Sequence, residues 1–285
     1  MNLLNELASS KKIQVIDFRG EERMKNNVYE SKLILPNFLA DRYGRLNLQD
    51  LISVFIALST EQTEQMDVPD VGELGYKWII TQYKLEINRM PKISEEVTIR
   101  TFIKEHNRVF TYREFELYDE NNELLVHVLT VFALINEKRK LSRIPKELTE
   151  AFGSKESKRI RRLARPDLPD LKNQVKEKTY SVRYFDIDRN FHANNSMYFI
   201  WMLDALGDEF LARHDILSGN VVYEKEIYMD EEVVSYVDFK IDEQENLISR
   251  HQIKVDEISR AHANFTWTTN EVDYEADLKS LNNNK

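Results

Sequence analysis

The sequence predicts an α+β protein built from one module used twice, each module a long helix wrapped by an antiparallel β-sheet. Three observations predict it. A helical pattern opens at Asn47 and again at Asn194 or Asn195, about 150 residues further on, and each is followed by four strand-like runs. The stretch between them, 149–175, is polar and carries Pro166 and Pro169, as a linker does. The modules therefore span 1–148 and 176–285, and with 42% of its 285 residues hydrophobic the chain has enough apolar surface for two cores.

In the first module, Leu48, Leu51, Ile52 and Phe55 fall on one face of a helix over 47–65, and Asp50 follows Asn47 at the spacing of a capping box. A turn-rich stretch, 67–75, leads into strand-like runs at 77–89, 96–105, 109–119 and 124–136. The last two are joined by a hairpin loop at 119–123. The run Leu124 to Ile135 is apolar on both faces, as a central strand covered from both sides would be. Its length also suits a helix, but its valines and Thr130 favour the strand. In the second module the series Phe199, Met202, Leu203, Leu206 and Phe210 marks the helix, and strands are expected at 221–229, 232–241, 246–256 and 258–269.

Composition narrows the function. A net charge of −9 disfavours nucleic acid as a partner, and no stretch approaches the ~20 apolar residues that span a bilayer. The N-terminus reads as neither signal nor transit peptide, so a cytoplasmic location is expected. The chain has no cysteine, which removes disulfides, thiolate metal sites and any cysteine nucleophile. Its seven glycines form no phosphate-cradling loop, and no metal or other cofactor is expected.

The most informative stretch is Arg183 to Asn195, followed by the apolar run Met197 to Trp201. If extended, it places Asp188, Asn190 and His192 on one side, beside the positive end of the second helix, where negative charge developing on oxygen is favoured. Each residue also has a plainer reading. Asn194 or Asn195 is explained by N-capping, a single histidine before a helix is usually a capping or solvated residue, and Arg183 with Asp186 reads as a structural pair.

A long helix wrapped by an antiparallel sheet, present in tandem, is what the hot-dog fold looks like. Over roughly 25–270 the chain resembles the acyl-acyl carrier protein thioesterases of plants and bacteria. The resemblance rests on Trp78-Ile-Ile-Thr81, Asn88-Arg89-Met-Pro91 and Leu141-Ser-Arg-Ile-Pro145 in the first half, each weak alone. It rests above all on the specific run Asp186-Ile-Asp188-Arg-Asn190-Phe-His192-Ala-Asn194-Asn195 with Tyr198 and Trp201.

The resemblance implies hydrolysis of fatty acyl-acyl carrier protein, with Asp188, Asn190 and His192 in the catalytic network. The network's carboxylate falls at Glu226, and Ile227 stands where plant members carry a cysteine. Glu224, on the same face of an expected strand, competes for the carboxylate's role. The resemblance puts the acyl tail in the first module, with Phe55, Ile56, Trp78, Ile80 and Phe132 as candidate contacts or plain core. Carrier proteins are acidic, and six cations between Lys155 and Arg165 could dock one. A helix there would align Lys158, Arg161, Arg162 and Arg165, although charge runs between modules usually serve only as a solvated linker. An acyl-CoA thioesterase or a non-catalytic acyl-binding protein on the same fold are the alternatives, nothing in the first half matches a dehydratase, and a homodimer is left open.

Overall fold

The computed structural model describes residues 22–283 apart from 26, 67, 159, 160, 162 and 174. The first half contributes strands β1 (Glu22–Lys25), β2 (Val28–Ile34), β3 (Tyr76–Ile87), β4 (Glu96–His106), β5 (Phe110–Tyr118), β6 (Leu124–Asn136), β7 (Leu141–Ser142) and β8 (Lys155–Glu156), with helices α1 (Leu48–Gln65) and α2 (Lys146–Phe152). The second half contributes β9 (Lys176–Ser181), α3 (Asn195–Asp204), α4 (Asp208–Arg213), β10 (His214–Tyr223), β11 (Glu232–Ile241), β12 (Leu247–Val255), β13 (Ile258–Thr269) and α5 (Tyr274–Asn283).

The two halves share one sheet, in the order β1-β2-β4-β5-β6-β3-β10-β13-β12-β11-β9. The seam is the antiparallel pair β3–β10, in which Glu86 faces Ser218 and Gln82 faces Val222. Helices α1 and α3 touch each other, and one apolar core runs from Phe55 and Leu85 in the first half to Phe199 and Phe265 in the second. The doubly apolar run predicted as a central strand is β6, held between β3 and β5 with most of its side chains buried.

Four local expectations are corrected. Asn47 does precede α1, but its side chain makes no bond to the helix backbone and instead donates to Asp50 Oδ2 at 2.9 Å. The second helix is broken at Gly207 (φ 92°), so Phe210 belongs to α4 and stacks on His214 at 4.0 Å. Strand β10 runs over 214–223 rather than 221–229, because its pairing partners β3 and β13 lie alongside that stretch. Residues 224–229 therefore form a loop, begun where Glu224 N and Lys225 N both donate to Arg260 O at 2.8 and 3.1 Å.

The described residues of the basic segment are not helical. Lys155–Glu156 pairs parallel to β4, and the chain then crosses the sheet face opposite α1 and α3. There Ala164 O accepts from Gln82 Nε2 and Asn220 Nδ2, and Asp167 exchanges bonds with Asn264 at 2.8 and 2.9 Å. The segment is thus stitched across the seam. Among its predicted docking residues Lys158 is exposed, Arg161 lies 3.6 Å from Glu105 and Arg165 lies 2.7 Å from Glu224, while Arg162 lies outside the described residues.

Candidate active site

The site is built on a short, self-bonded turn. Asp186, 2% exposed, accepts from Arg183 N (2.9 Å) and from its guanidinium (2.8 Å), and its own carbonyl accepts Asn194 N at 2.9 Å. This pair clamps the segment to the start of α3. Between these anchors the chain does not stay extended. Asp188 N donates to His192 O and Phe191 N to Asp188 O, with Phe191 at φ 65°, so 188–192 is a closed loop. Asp188 stabilises that loop by accepting from Asn190 N (2.7 Å) and Asn190 Nδ2 (3.3 Å).

One backbone bond then brings the distant loop to it. Ala193 N donates to Ile227 O at 2.7 Å, so the residues just before each, His192 and Glu226, meet. His192 Nε2 lies 3.5 Å from Glu226 Oε1, and its Nδ1 lies 4.0 Å from Asp188 Oδ1 and 3.4 Å from Ala193 O. The imidazole sits between two carboxylates at ion-pair rather than tight hydrogen-bond distances. Ile227 is fully buried core. Arg260 holds the loop by donating to Glu226 O at 2.8 Å.

Two neighbours of Glu226 are absent from the sequence reading. Tyr228 OH donates to Glu226 Oε2 at 2.8 Å, and the Arg139 guanidinium ion-pairs with the same oxygen. Arg139 comes from the β6–β7 hairpin of the first half, at φ 58°. No sequence pattern announces it, because it reaches the site only through the seam. Glu224 is differently placed, with Arg165 at 2.7 Å and His262 Nδ1 at 3.8 Å from its Oε1.

The first turn of α3 adds backbone donors. Asn194 is the N-cap, its Oδ1 accepting Ser196 N at 3.0 Å, and its carbonyl accepts Met197 N at 2.9 Å. Asn195 N–H is left without an acceptor among the described residues, at the positive end of the helix.

These groups line one end of a cleft of about 1050 Å³ that continues between α1 and the first-half strands. Ile56, Trp78, Ile80 and Phe132 line its other end, with Trp78 edge-on to Phe132 at 6.3 Å. Phe55 is not in its lining. It is 1% exposed and stacks on Phe115 at 4.9 Å, inside the core. No group of three or more His, Asp or Glu among the described residues is arranged to hold a metal, and no described helix is long and apolar enough to cross a membrane.

Two halves that each wrap a helix in antiparallel strands, joined edge to edge with a polar cluster where they meet, define a tandem hot-dog protein. Residues 26–152 match the family model for the N-terminal domain of acyl-ACP thioesterases and residues 170–269 that for the C-terminal domain. The chain belongs to the acyl-ACP thioesterase family. Among solved structures it is similar to a putative oleoyl thioesterase from Lactobacillus plantarum, with 31% identity, a TM-score of 0.82, and coverage of 86% of this chain and 97% of that one. The 12:0-ACP thioesterase from Umbellularia californica shares the fold, with a TM-score of 0.76 at 17% identity, over 86% of this chain and 95% of that one. Among curated relatives, the chloroplastic oleoyl-acyl carrier protein thioesterase of Coriandrum sativum is 24% identical over 189 residues, 61% of this chain and 50% of that protein. The chain spans half or less of the length of the first curated relatives it matches, down to 38%.

Proposed function

We propose that the protein hydrolyses the thioester of fatty acyl-acyl carrier protein, releasing the free fatty acid and ending chain elongation. The observation that supports this most is the continuity of the cleft, which joins a carboxylate–imidazole–carboxylate cluster to an apolar channel. The first module, 1–148, takes the tail, and the second, 176–285, does the chemistry.

In this reading Glu226 is the general base. It takes a proton from water as the water oxygen bonds to the thioester carbon, and the carbonyl oxygen gains charge facing Asn195 N–H. Collapse breaks the carbon–sulfur bond, and the proton returns to the departing thiolate through His192. Asp188 shapes the loop that carries His192. Asn190, whose amide is engaged with Asp188, acts by holding that loop. Glu226 is favoured over Glu224 because only Glu226 lies within reach of His192.

Incubating the protein with a panel of acyl-carrier-protein and acyl-CoA thioesters, and identifying the acids released, tests the reading. Faster release from the carrier protein is expected. Preference for CoA in direct competition moves the assignment to an acyl-CoA thioesterase, and acyl binding without release moves it to a non-catalytic binder.

A further inference from the structure

The inner face of the first-half sheet is mostly apolar, and one row across it is polar on three adjacent strands. The strand register sets Tyr83 opposite Thr130 and Thr130 opposite Arg113, so three polar side chains cross β3, β6 and β5 in line on the face beneath α1. All three are buried, at 1%, 0% and 4% exposure. The next row, Leu85, Val128 and Phe115, is closed apolar core.

The polar row is short of partners. Arg113 donates to Gln62 Oε1 and, at 3.0 Å, to Thr101 Oγ1, both neutral, and no carboxylate among the described residues pairs with it. Gln62 is itself held from α1, its Nε2 donating to Asn27 O at 2.7 Å, so its oxygen is aimed at the guanidinium. Tyr83 OH and Thr130 Oγ1 have no hydrogen-bond partner among the described residues. Burial lowers the Arg113 guanidinium to about 9, which leaves it charged at neutral pH, and raises the Tyr83 hydroxyl, which keeps it a donor. A buried cation and buried hydroxyls left in this state are costly unless something supplies acceptors.

Two members of the row, Tyr83 and Arg113, line the cleft, while Thr130 between them lies behind its wall. Tyr83 and Arg113 line it together with Ile56, Ile80 and Phe132, whereas Leu85, Val128 and Phe115 do not. An acyl chain running along the apolar channel therefore meets a wall of hydrogen-bond donors rather than more hydrocarbon.

We propose that Tyr83 and Arg113, the two ends of this polar row, receive an oxygen acceptor carried on the acyl chain, so that thioesters of oxygen-substituted chains are preferred over the unsubstituted chain of equal length. The substituent is an oxo, hydroxyl or carboxylate oxygen. It accepts from the Arg113 guanidinium or the Tyr83 hydroxyl. A site built to hydrogen-bond a substrate oxygen discriminates strongly against the analogue lacking it, since the site's own polar groups are then left unpaired. This inference rests on the cleft being the acyl site.

The test is a set of carrier-protein thioesters of one chain length, unsubstituted or bearing oxo, hydroxyl or terminal carboxylate groups at successive positions, compared by kcat/KM. At least one substituted chain is expected to exceed the unsubstituted one by about tenfold or more. Arg113→Met should bring that ratio close to one. Tyr83→Phe, which deletes only a hydroxyl and spares the packing, should lower it, and it decides the matter if Arg113→Met does not fold. Equal or faster hydrolysis of the unsubstituted chain, or a preference that survives both substitutions, overturns the inference while leaving the thioesterase reading intact. Release of acid from no thioester overturns both.

Discussion

Glu226 divides its two oxygens between separate tasks. Oε1 faces His192 at 3.5 Å, while Oε2 is held by Tyr228 and Arg139. Replacing it with Gln keeps the shape and removes the proposed proton acceptor, so Glu226→Gln is expected to cut kcat by about 10²- to 10⁴-fold, the usual loss for a positioned base. Glu224→Gln should leave kcat within about threefold, since that carboxylate faces Arg165 and His262; a reversed pattern in steady-state assays would move the base by two residues. Arg139 makes a subtler prediction. Its side chain is 58% exposed, so its ion pair adds little to stability. Arg139→Ala should leave the melting temperature within about 1 °C and lower kcat by about 3- to 10-fold, because Glu226 loses one of the two groups that orient it. A fall in melting temperature matching the fall in rate would make Arg139 a structural residue only.

At the scale of elements, the seam strand β10 depends on a missing side chain. A Cβ on Gly219 would lie 2.8 Å from Phe265 Cδ1 and 2.9 Å from Cε1, and that ring is itself packed by Phe199 and Trp267. Gly219→Ala should therefore destabilise by about 1–3 kcal/mol, read from the denaturant midpoint. Strand β12 carries a second liability in His251, fully buried beneath α3. Trp267 Nε1 donates to Ser249 Oγ at 2.8 Å, leaving that hydroxyl's proton for His251 Nε2, also at 2.8 Å, which favours the neutral ring. Burial drives the imidazole down to about 3. With the folded value below the unfolded ~6.5, its contribution is whole above pH 6.5 and is lost as pH falls toward 3, amounting to about 2 kcal/mol by pH 5. His127 has the opposite sign, because its bond to Glu114 raises it, so its contribution is present below ~6.5 and fades as pH rises through the raised value. Melting curves of His251→Gln should fall less between pH 7 and pH 5 than those of the native protein. Parallel curves would remove His251 from the acid response.

For the molecule as a whole, a net charge of −9 opposes approach of an acidic carrier protein unless positive charge is concentrated locally. Of the described docking candidates Lys158, Arg161 and Arg165, the first two have the most room to act: Lys158 is exposed, and Arg161 is held from Glu105 at 3.6 Å, whereas Arg165 is tied to Glu224 at 2.7 Å. Reversing both to Glu should raise KM for acyl-carrier protein several-fold, about fivefold in low salt, while leaving hydrolysis of a small acyl thioester nearly unchanged. The difference should shrink as ionic strength rises. Equal effects on the two substrates, or none, would make the segment simply the strap that crosses the seam.

How much of this could be read from the chain follows from how local each signal is. The α+β class, the tandem repeat, α1, the bounds of β6 and of β11, and the segment bearing Asp188, Asn190 and His192 were legible because periodicity and short motifs act within a few residues. The continuous sheet, the start of β10 at His214 rather than Val221, and the break at Gly207 depend on which strands and helices lie alongside, which no window of sequence contains. The site divides the same way. Its residue types came from the sequence, but the loop that turns Asp188 back on itself, the Ala193–Ile227 bond that delivers Glu226 to His192, and the arrival of Arg139 were decided by tertiary structure. Local chemistry selects the side chains, and only long-range hydrogen bonds and burial determine which of them meet.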